Sequence, residues 1–274
     1  MFTWMTRGRS RLRAREGAGP APESPDLLET VGPGSYLDVP TCNNVRELGG
    51  YQTPEGMTKP HRFIRSGDTC FLDQRDIDRL RGYGLSYDLD LRGREEAQQA
   101  PDLLAPVRGV RYKRVQLHVR NIRDGADPLP DNDETYMANI YLRILRNTEG
   151  VRQAFEFMAK PRRDDCLLFH CAAGMDRTGI VSMLTLGLCG VSRDDIIRDY
   201  LYSFVHADQV EDLIAGEKAG RHSDADGIGS VTLTHTMGLV YQWVCDRHGS
   251  ARGFLLSCGV AERSLDRVKD HLLA

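Results

Sequence analysis

Residues 166–179 read CLLFHCAAGMDRTG, and the fold is decided there. Cys166 to Phe169 is an unbroken apolar run, the pattern of a short strand buried on both faces. From about Arg177 to Leu188 the chain is apolar on most sides, through Ile180, Val181, Met183, Leu184, Leu186 and Leu188. A helix of that kind belongs in a core, and Gly190 ends it. A buried strand feeding a buried helix through a short loop is the unit of an α/β layered domain.

The neighbouring segments extend the pattern. Ser86 to Leu91 (SYDLDL) alternates polar and apolar residues, as a strand does. His61 to Arg65 and Gly109 to Val119 are further strand candidates, and Asn44 to Tyr51 (NVRELGGY) is an extended piece that turns at its paired glycines. Asp73 to Tyr83 has helical spacing and stops at Gly84. Met137, Ile140, Tyr141, Ile144 and Leu145 make an amphipathic helix, and another runs from Gly150 to Ala159, before Pro161. Ser192 with Asp195 three residues on is a capping-box pattern. Helices at about 232–247 and 262–273 close the chain. The expected fold is therefore α/β, with a central, mostly parallel sheet flanked by helices and additional helices at the C-terminal end.

The domain organisation follows from composition. Residues 1–35 hold an Arg-rich run and a Pro/Gly-rich stretch without an apolar segment, which predicts a disordered tail; membrane-surface or partner binding by the arginines is the sharper alternative. Residues 36–274 make one domain, in which 206–250 is a candidate lid containing the Gly/Asp-rich loop 215–230. Of the 274 residues 41% are hydrophobic and 27% charged, enough to build a core without disulfide staples. A net charge of −3 argues against a general nucleic-acid binder. No apolar run has the ~18 residues of a membrane span, and no signal-peptide pattern occurs. The seven cysteines are irregularly spaced with no Cys-x-x-Cys pair, so neither a disulfide framework nor a zinc site is expected. Reduced thiols point to the cytoplasm, with secretion lacking a recognisable signal as the alternative.

Chemistry concentrates in His170 to Gly179 (HCAAGMDRTG). Cys171 and Arg177 are separated by five residues, enough to bend Ala172, Ala173, Gly174 and Met175 into a cup with inward N–H groups, an anion nest. The cup sits on a helix N-terminus, where free amides and the macrodipole favour negative charge. These dipoles favour the Cys171 thiolate, a nucleophile that needs no separate base. Arg177 offers a planar fork that grips two phosphate oxygens. Gly174 lets the cup close without Cβ crowding. Thr178 is placed to donate its hydroxyl to the cysteine sulfur. His170 adjoins Cys171, but neighbouring strand residues point to opposite faces, so it is expected to order the loop rather than act as a base. A buried, inert cysteine explains Cys166 and Cys189 well; it does not explain Cys171 together with Gly174, Arg177 and the Thr-Gly that follows.

Six segments in one order carry a family resemblance: NVRELGGY, FIRSGD, DLDLRGREEAQQAPD, HCAAGMDRTGI, DYLYS and the closing FLLSCGVAERSLDRVKDHLL. From about Asn44 to its end the chain resembles the bacterial tyrosine phosphatases related to secreted virulence phosphatases of mycobacteria and Listeria. The resemblance implies a cysteine-phosphatase-like fold and a phosphocysteine intermediate, with Cys171 as nucleophile, Arg177 as phosphate binder and no metal or other cofactor. It implies a phosphoprotein or a phosphorylated small molecule or lipid as substrate, with phosphate or sulfate binding in the site. The Trp-Pro-Asp loop of animal tyrosine phosphatases is absent from the family and from this sequence. In relatives the general acid is assigned to the Asp before the loop arginine, here Asp176; Asp127 and Asp131 are rivals, and Asp176 also has a loop-bracing reading. Asp90 matches the family's Asp-Leu-Arg motif, either touching the site as a substrate-binding residue or tying Arg92 and Glu96 into an ion-pair network. Arg46 and Arg65 are salt-bridge partners or substrate contacts. Relatives acting on phosphoinositides often carry Lys where this chain has Met175, and a thioether cannot hold extra phosphates. Phosphotyrosine in proteins is therefore the expected substrate. Phosphoinositide or dual-specificity hydrolysis, a non-catalytic phosphate-binding module and a rhodanese-type sulfurtransferase are the alternatives, the last disfavoured by the Arg-Thr-Gly ending.

Overall fold

Cys166–His170 forms the central strand of a five-stranded sheet, because every one of its residues is buried and successive side chains serve two different cores. The computed structural model describes residues 32–117, 129–130, 132, 135–204, 210 and 230–274, with side chains in the last stretch from residue 235. The strands are β1 (Arg46–Glu47), β2 (Gln52–Thr53), β3 (Gly56–Met57), β4 (Phe63–Ser66), β5 (Leu85–Asp90), β6 (Arg111–Arg114) and β7 (Cys166–His170). The sheet order is β1-β4-β7-β5-β6, and β2 and β3 form a separate hairpin. β4, β7, β5 and β6 run parallel, and only β1 is antiparallel. The α/β fold with a mostly parallel sheet is as the sequence predicts.

Period-two alternation divides the interior. Leu167, Phe169 and Cys171 pack into the larger core with the helices of one face, while Cys166 and Leu168 join Ile64, Leu80, Leu85 and Leu104 on the other. The described helices are α1 (Gln74–Gly82), α2 (Arg94–Gln99), α3 (Tyr136–Leu145), α4 (Thr148–Met158), α5 (Asp176–Leu188), α6 (Arg193–Leu201), α7 (Ser230–His248), α8 (Ala251–Ser257) and α9 (Glu262–Leu273). Asp73, Asn147, Ser192 and Ser250 cap α1, α4, α6 and α8 by accepting from the backbone N–H three residues on, which satisfies otherwise orphaned donors. α2 and α8 are too short to show a period in the sequence. The strand expected over 109–119 shrinks to β6, because its ladder spans only residues 87–90 of β5.

Register places the site. Ser66 of β4 and Asp90 of β5 both pair with His170 of β7, so three parallel strands end side by side where the HCAAGMDRTG loop begins. Ligands of open α/β sheets bind beyond such carboxyl ends. Within the candidate lid, α7 buries Met237, Val240 and Val244 in the larger core. The tail up to residue 31, the loop 215–229 and both Asp127 and Asp131 lie outside the described residues. Among the described residues no helix is long and apolar enough to cross a membrane.

Candidate active site

Cys171 leaves β7 directly, and α5 begins five residues later at Asp176. The turn between them needs Gly174 at φ +72°. A Cβ there would stand 2.5 Å from the Ser66 carbonyl oxygen and 2.6 Å from the Gly67 nitrogen, so the loop closes against a neighbouring backbone that only glycine tolerates.

Every loop carbonyl that makes a bond is drawn outward. Asp68 N–H donates to the Ala172 carbonyl (2.9 Å). Asn44 Nδ2 donates to the carbonyls of Ala173 (3.4 Å) and Gly174 (2.9 Å), and Arg65 Nη2 to that of Gly174 (2.8 Å). With carbonyls turned out, the N–H groups of Ala172, Ala173, Gly174 and Met175 donate to nothing among the described residues. This is the peptide geometry of an anion nest. Asn44 itself takes the left-handed conformation (φ 59°), which asparagine tolerates better than most residues.

The outward pull is anchored by a buried ionic network. Arg46 and Arg65 are both 0% exposed. Arg65 pairs with Asp199 through Nη1, and Arg46 Nη2 donates to the Asp199 carbonyl (2.6 Å) and to Ser203 Oγ (2.8 Å). Burial, and the neighbouring Arg65 charge, bring the Arg46 pKa down to about 10. Full burial decides between the two roles expected of these arginines: they brace the loop from behind.

Arg177, the second residue of α5, is held along one edge by Glu96, Nη1 to Oε2 at 2.7 Å and Nη2 to Oε1 at 2.8 Å. Burial opposes its charge, but the Glu96 bonds and the proximity of Cys171 raise its pKa above the ordinary arginine value. Of the network expected to join Asp90, Arg92 and Glu96, the Asp90–Arg92 pair is present, Nε to Oδ1 at 2.9 Å and Nη2 to Oδ2 at 3.0 Å, while Glu96 holds Arg177. Tyr112 takes the remaining approach to Asp90 Oδ2 (3.1 Å). Asp90 is 0% exposed, and both its oxygens accept hydrogen bonds from Arg92 or Tyr112.

Asp176 stands at the first position of α5, half-buried, and accepts a hydrogen bond from Tyr141 Oη of α3. Tyr141 Oη in turn lies 2.8 Å from Tyr200 Oη of α6. Since the Tyr141 proton goes to the carboxylate, Tyr200 is the donor to Tyr141. Thr178 Oγ1 is buried without a hydrogen-bond partner; the expected bond to the Cys171 sulfur is not formed. Ala172 is exposed and Met175 half-buried at the rim.

His170 is fully buried, with Nδ1 3.1 Å from the Cys171 carbonyl and Nε2 2.8 Å from Asp102 Oδ2. It orders the loop, as expected. Asp88, Asp102 and His170 bring three metal-type donor atoms within 4.8 Å, but the 2.8 Å His–Asp separation is that of a charged hydrogen bond and is tight for two ligands of one tetrahedral zinc. All seven cysteines are free. Burial pushes the thiols of Cys42 and Cys189 up to about 12 and that of Cys258 to about 11, so these are poor nucleophiles.

Sequence reasoning missed Asn44, Glu96 as the Arg177 partner, Asp102, Tyr141 and Tyr200. Tyr141 was legible only as a member of an apolar stripe. A buried tyrosine demands a partner for its hydroxyl, which was the available signal.

A family model described as the tyrosine phosphatase family matches residues 37–274. The chain is 30% identical over 221 residues to a tyrosine-protein phosphatase of Nostoc commune, covering 77% of this chain and 74% of that protein. It is 24% identical over 283 residues to the triple specificity protein phosphatase PtpB of Mycobacterium tuberculosis, covering 86% of this chain and 98% of that one. With a match that spans every residue from β1 to α9, this chain belongs to the tyrosine phosphatase family.

Proposed function

We propose that the domain formed by residues 36–274 hydrolyses phosphate monoesters, most readily phosphotyrosine in proteins, through a phosphocysteine intermediate. The observation that carries this is the loop itself: four N–H groups without acceptors among the described residues lie between Cys171 and the Arg177 fork. In the first step Cys171 Sγ attacks phosphorus and the phosphorus–oxygen ester bond breaks. The electron pair stays on the leaving oxygen, which takes a proton from Asp176. In the second, water attacks phosphorus, Asp176 accepts its proton, and the thiolate departs. The nest amides and Arg177 hold the equatorial oxygens throughout, where positioning and charge stabilisation supply most of the rate. Asp176 is preferred as acid because it opens α5 directly after the loop and Tyr141 fixes one of its carboxyl oxygens.

Phosphotyrosine is favoured by Met175, which presents a thioether at the rim where an ammonium would hold further phosphates of an inositol headgroup. The relatives' names, tyrosine-protein phosphatase for one and triple specificity for the other, support a phosphoprotein substrate and leave dual specificity as the second reading. Turnover of an aryl phosphate in chelator by wild type, and its loss in Cys171→Ser, is the expected result. Full activity in Cys171→Ser would overturn the nucleophile, and faster hydrolysis of phosphoinositide than of phosphotyrosyl peptide would overturn the substrate.

A further inference from the structure

Beneath Cys171 the sheet buries three carboxylates, Asp88 and Asp90 of β5 and Asp102 after α2, around His170. One imidazole and one guanidinium, His170 and Arg92, are their nearest cations. Tyr112 from β6 donates to Asp90, and Asp68, after β4, adds a further negative charge near Arg92. Such a cluster, lying within the core, cannot keep every group ionised without partners.

Donor counting assigns the charges. His170 Nδ1 faces a carbonyl oxygen and Nε2 faces a carboxylate oxygen, so both nitrogens donate and the ring is an imidazolium. Asp102 has the partners of a carboxylate: His170 on Oδ2, and the N–H groups of Leu104 (2.8 Å) and Ala105 (3.3 Å) on Oδ1. Asp88 has none. Both its oxygens are buried without a donor, and its closest approach to His170 Nε2 is 3.7 Å. A carboxylate in that position would be uncompensated, whereas a carboxylic acid can donate its own proton. Asp90 belongs to Arg92.

We propose that Asp102, and not its neighbour Asp88, is the charged positioning residue that holds His170 as an imidazolium against the Cys171 carbonyl, and that this buried charge biases Cys171 toward its thiolate. The proposal rests on the reading of Cys171 as nucleophile. Its directions agree with the burial pattern. Burial opposes charge on His170, but the Asp102 bond and the surrounding carboxylates outweigh it and raise its pKa to about 9. Burial likewise opposes ionisation of Asp102, yet the His170 bond and charge bring it down to about 2. Asp88 is pushed well above the carboxylate range by burial and by Asp102.

Two adjacent buried carboxyls therefore respond oppositely to the same substitution. An amide in place of a neutral acid changes no charge, whereas an amide in place of Asp102 removes one. The test is the pH dependence of inactivation by iodoacetate, with the alkylated residue identified by mass spectrometry. Asp102→Asn moves the profile to higher pH and slows Cys171 alkylation about tenfold on its acidic side, while Asp88→Asn stays within about twofold of wild type. An unmoved profile in Asp102→Asn, or an equal shift in Asp88→Asn, overturns the proposal. Histidine ¹⁵N spectra of the wild type supply a measurement that needs no variant. Two N–H signals for His170 at neutral pH are expected, and a single one overturns the assignment. Fast alkylation persisting in Cys171→Ser would instead overturn the nucleophile itself, and this inference with it.

Discussion

Arg177 and Glu96 meet edge to edge, with both terminal nitrogens of the guanidinium on the two oxygens of the carboxylate. A guanidinium has five N–H donors, so this pairing leaves Nε–H and the inner N–H groups for a phosphate. Glu96 thus aims the fork.

Glu96→Gln is expected to lower kcat/KM about tenfold by loosening that aim. Steady-state kinetics on an aryl phosphate check it. Unchanged or increased kcat/KM would mean that Glu96 competes with phosphate for Arg177.

Gly174→Ala puts a Cβ 2.5 Å from a backbone oxygen at φ +72°. The cup opens or the backbone strains, at a cost of about 2 kcal/mol or more. A lowered Tm is expected, and a misplaced nest costs about a hundredfold in kcat. Wild-type values for both would show that the loop does not depend on this closure.

Tyr141→Phe removes the hydroxyl that orients Asp176. A general-acid defect matters only for leaving groups that need a proton. Turnover of phenyl phosphate should fall about tenfold, and that of p-nitrophenyl phosphate less than about twofold. Equal losses on both would point to a packing role for the tyrosine and weaken Asp176 as the acid.

His271 on α9 is buried edge-on against Phe63, and its Nε2 has no partner. Burial, and the nearby Arg62 charge, bring its pKa from 6.5 down to about 4. The folded pKa lies below the unfolded one, so this stability is whole above pH 6.5 and is lost as pH falls toward 4. The loss is at most about 3 kcal/mol. His271→Phe should flatten the Tm profile between those pH values, and an unaltered slope would place the acid sensitivity elsewhere.

How much of this the sequence carried depends on the length scale of each interaction. The loop between β7 and α5 was legible because strand, turn and helix are contiguous, and because Cys171, Gly174 and Arg177 have few other reasons to share a turn. The period of α3 and the cap of α6 are local too. Glu96 was grouped with its sequence neighbours Asp90 and Arg92, whereas the residue it holds is Arg177. Its true partner is chosen by sheet order, which sets β5 beside β7. The same crossing brings Asp102 to His170, and the packing of α3 on α5 brings Tyr141 to Asp176, pairs that no spacing encodes. Thr178 shows the converse case: its place behind Arg177 suggested a bond to sulfur, but a helical residue points where α5 turns it, and that is into the core.

The central claim is that Cys171 carries the phosphoryl group. Acid quenching of the protein during turnover of an aryl phosphate, followed by peptide mass spectrometry, tests it most directly. A single phosphoryl adduct on the Cys171 peptide is predicted, accumulating in Asp176→Asn if the second step is slowed more than the first. Turnover with no adduct in either protein, or an adduct on any other residue, would contradict it.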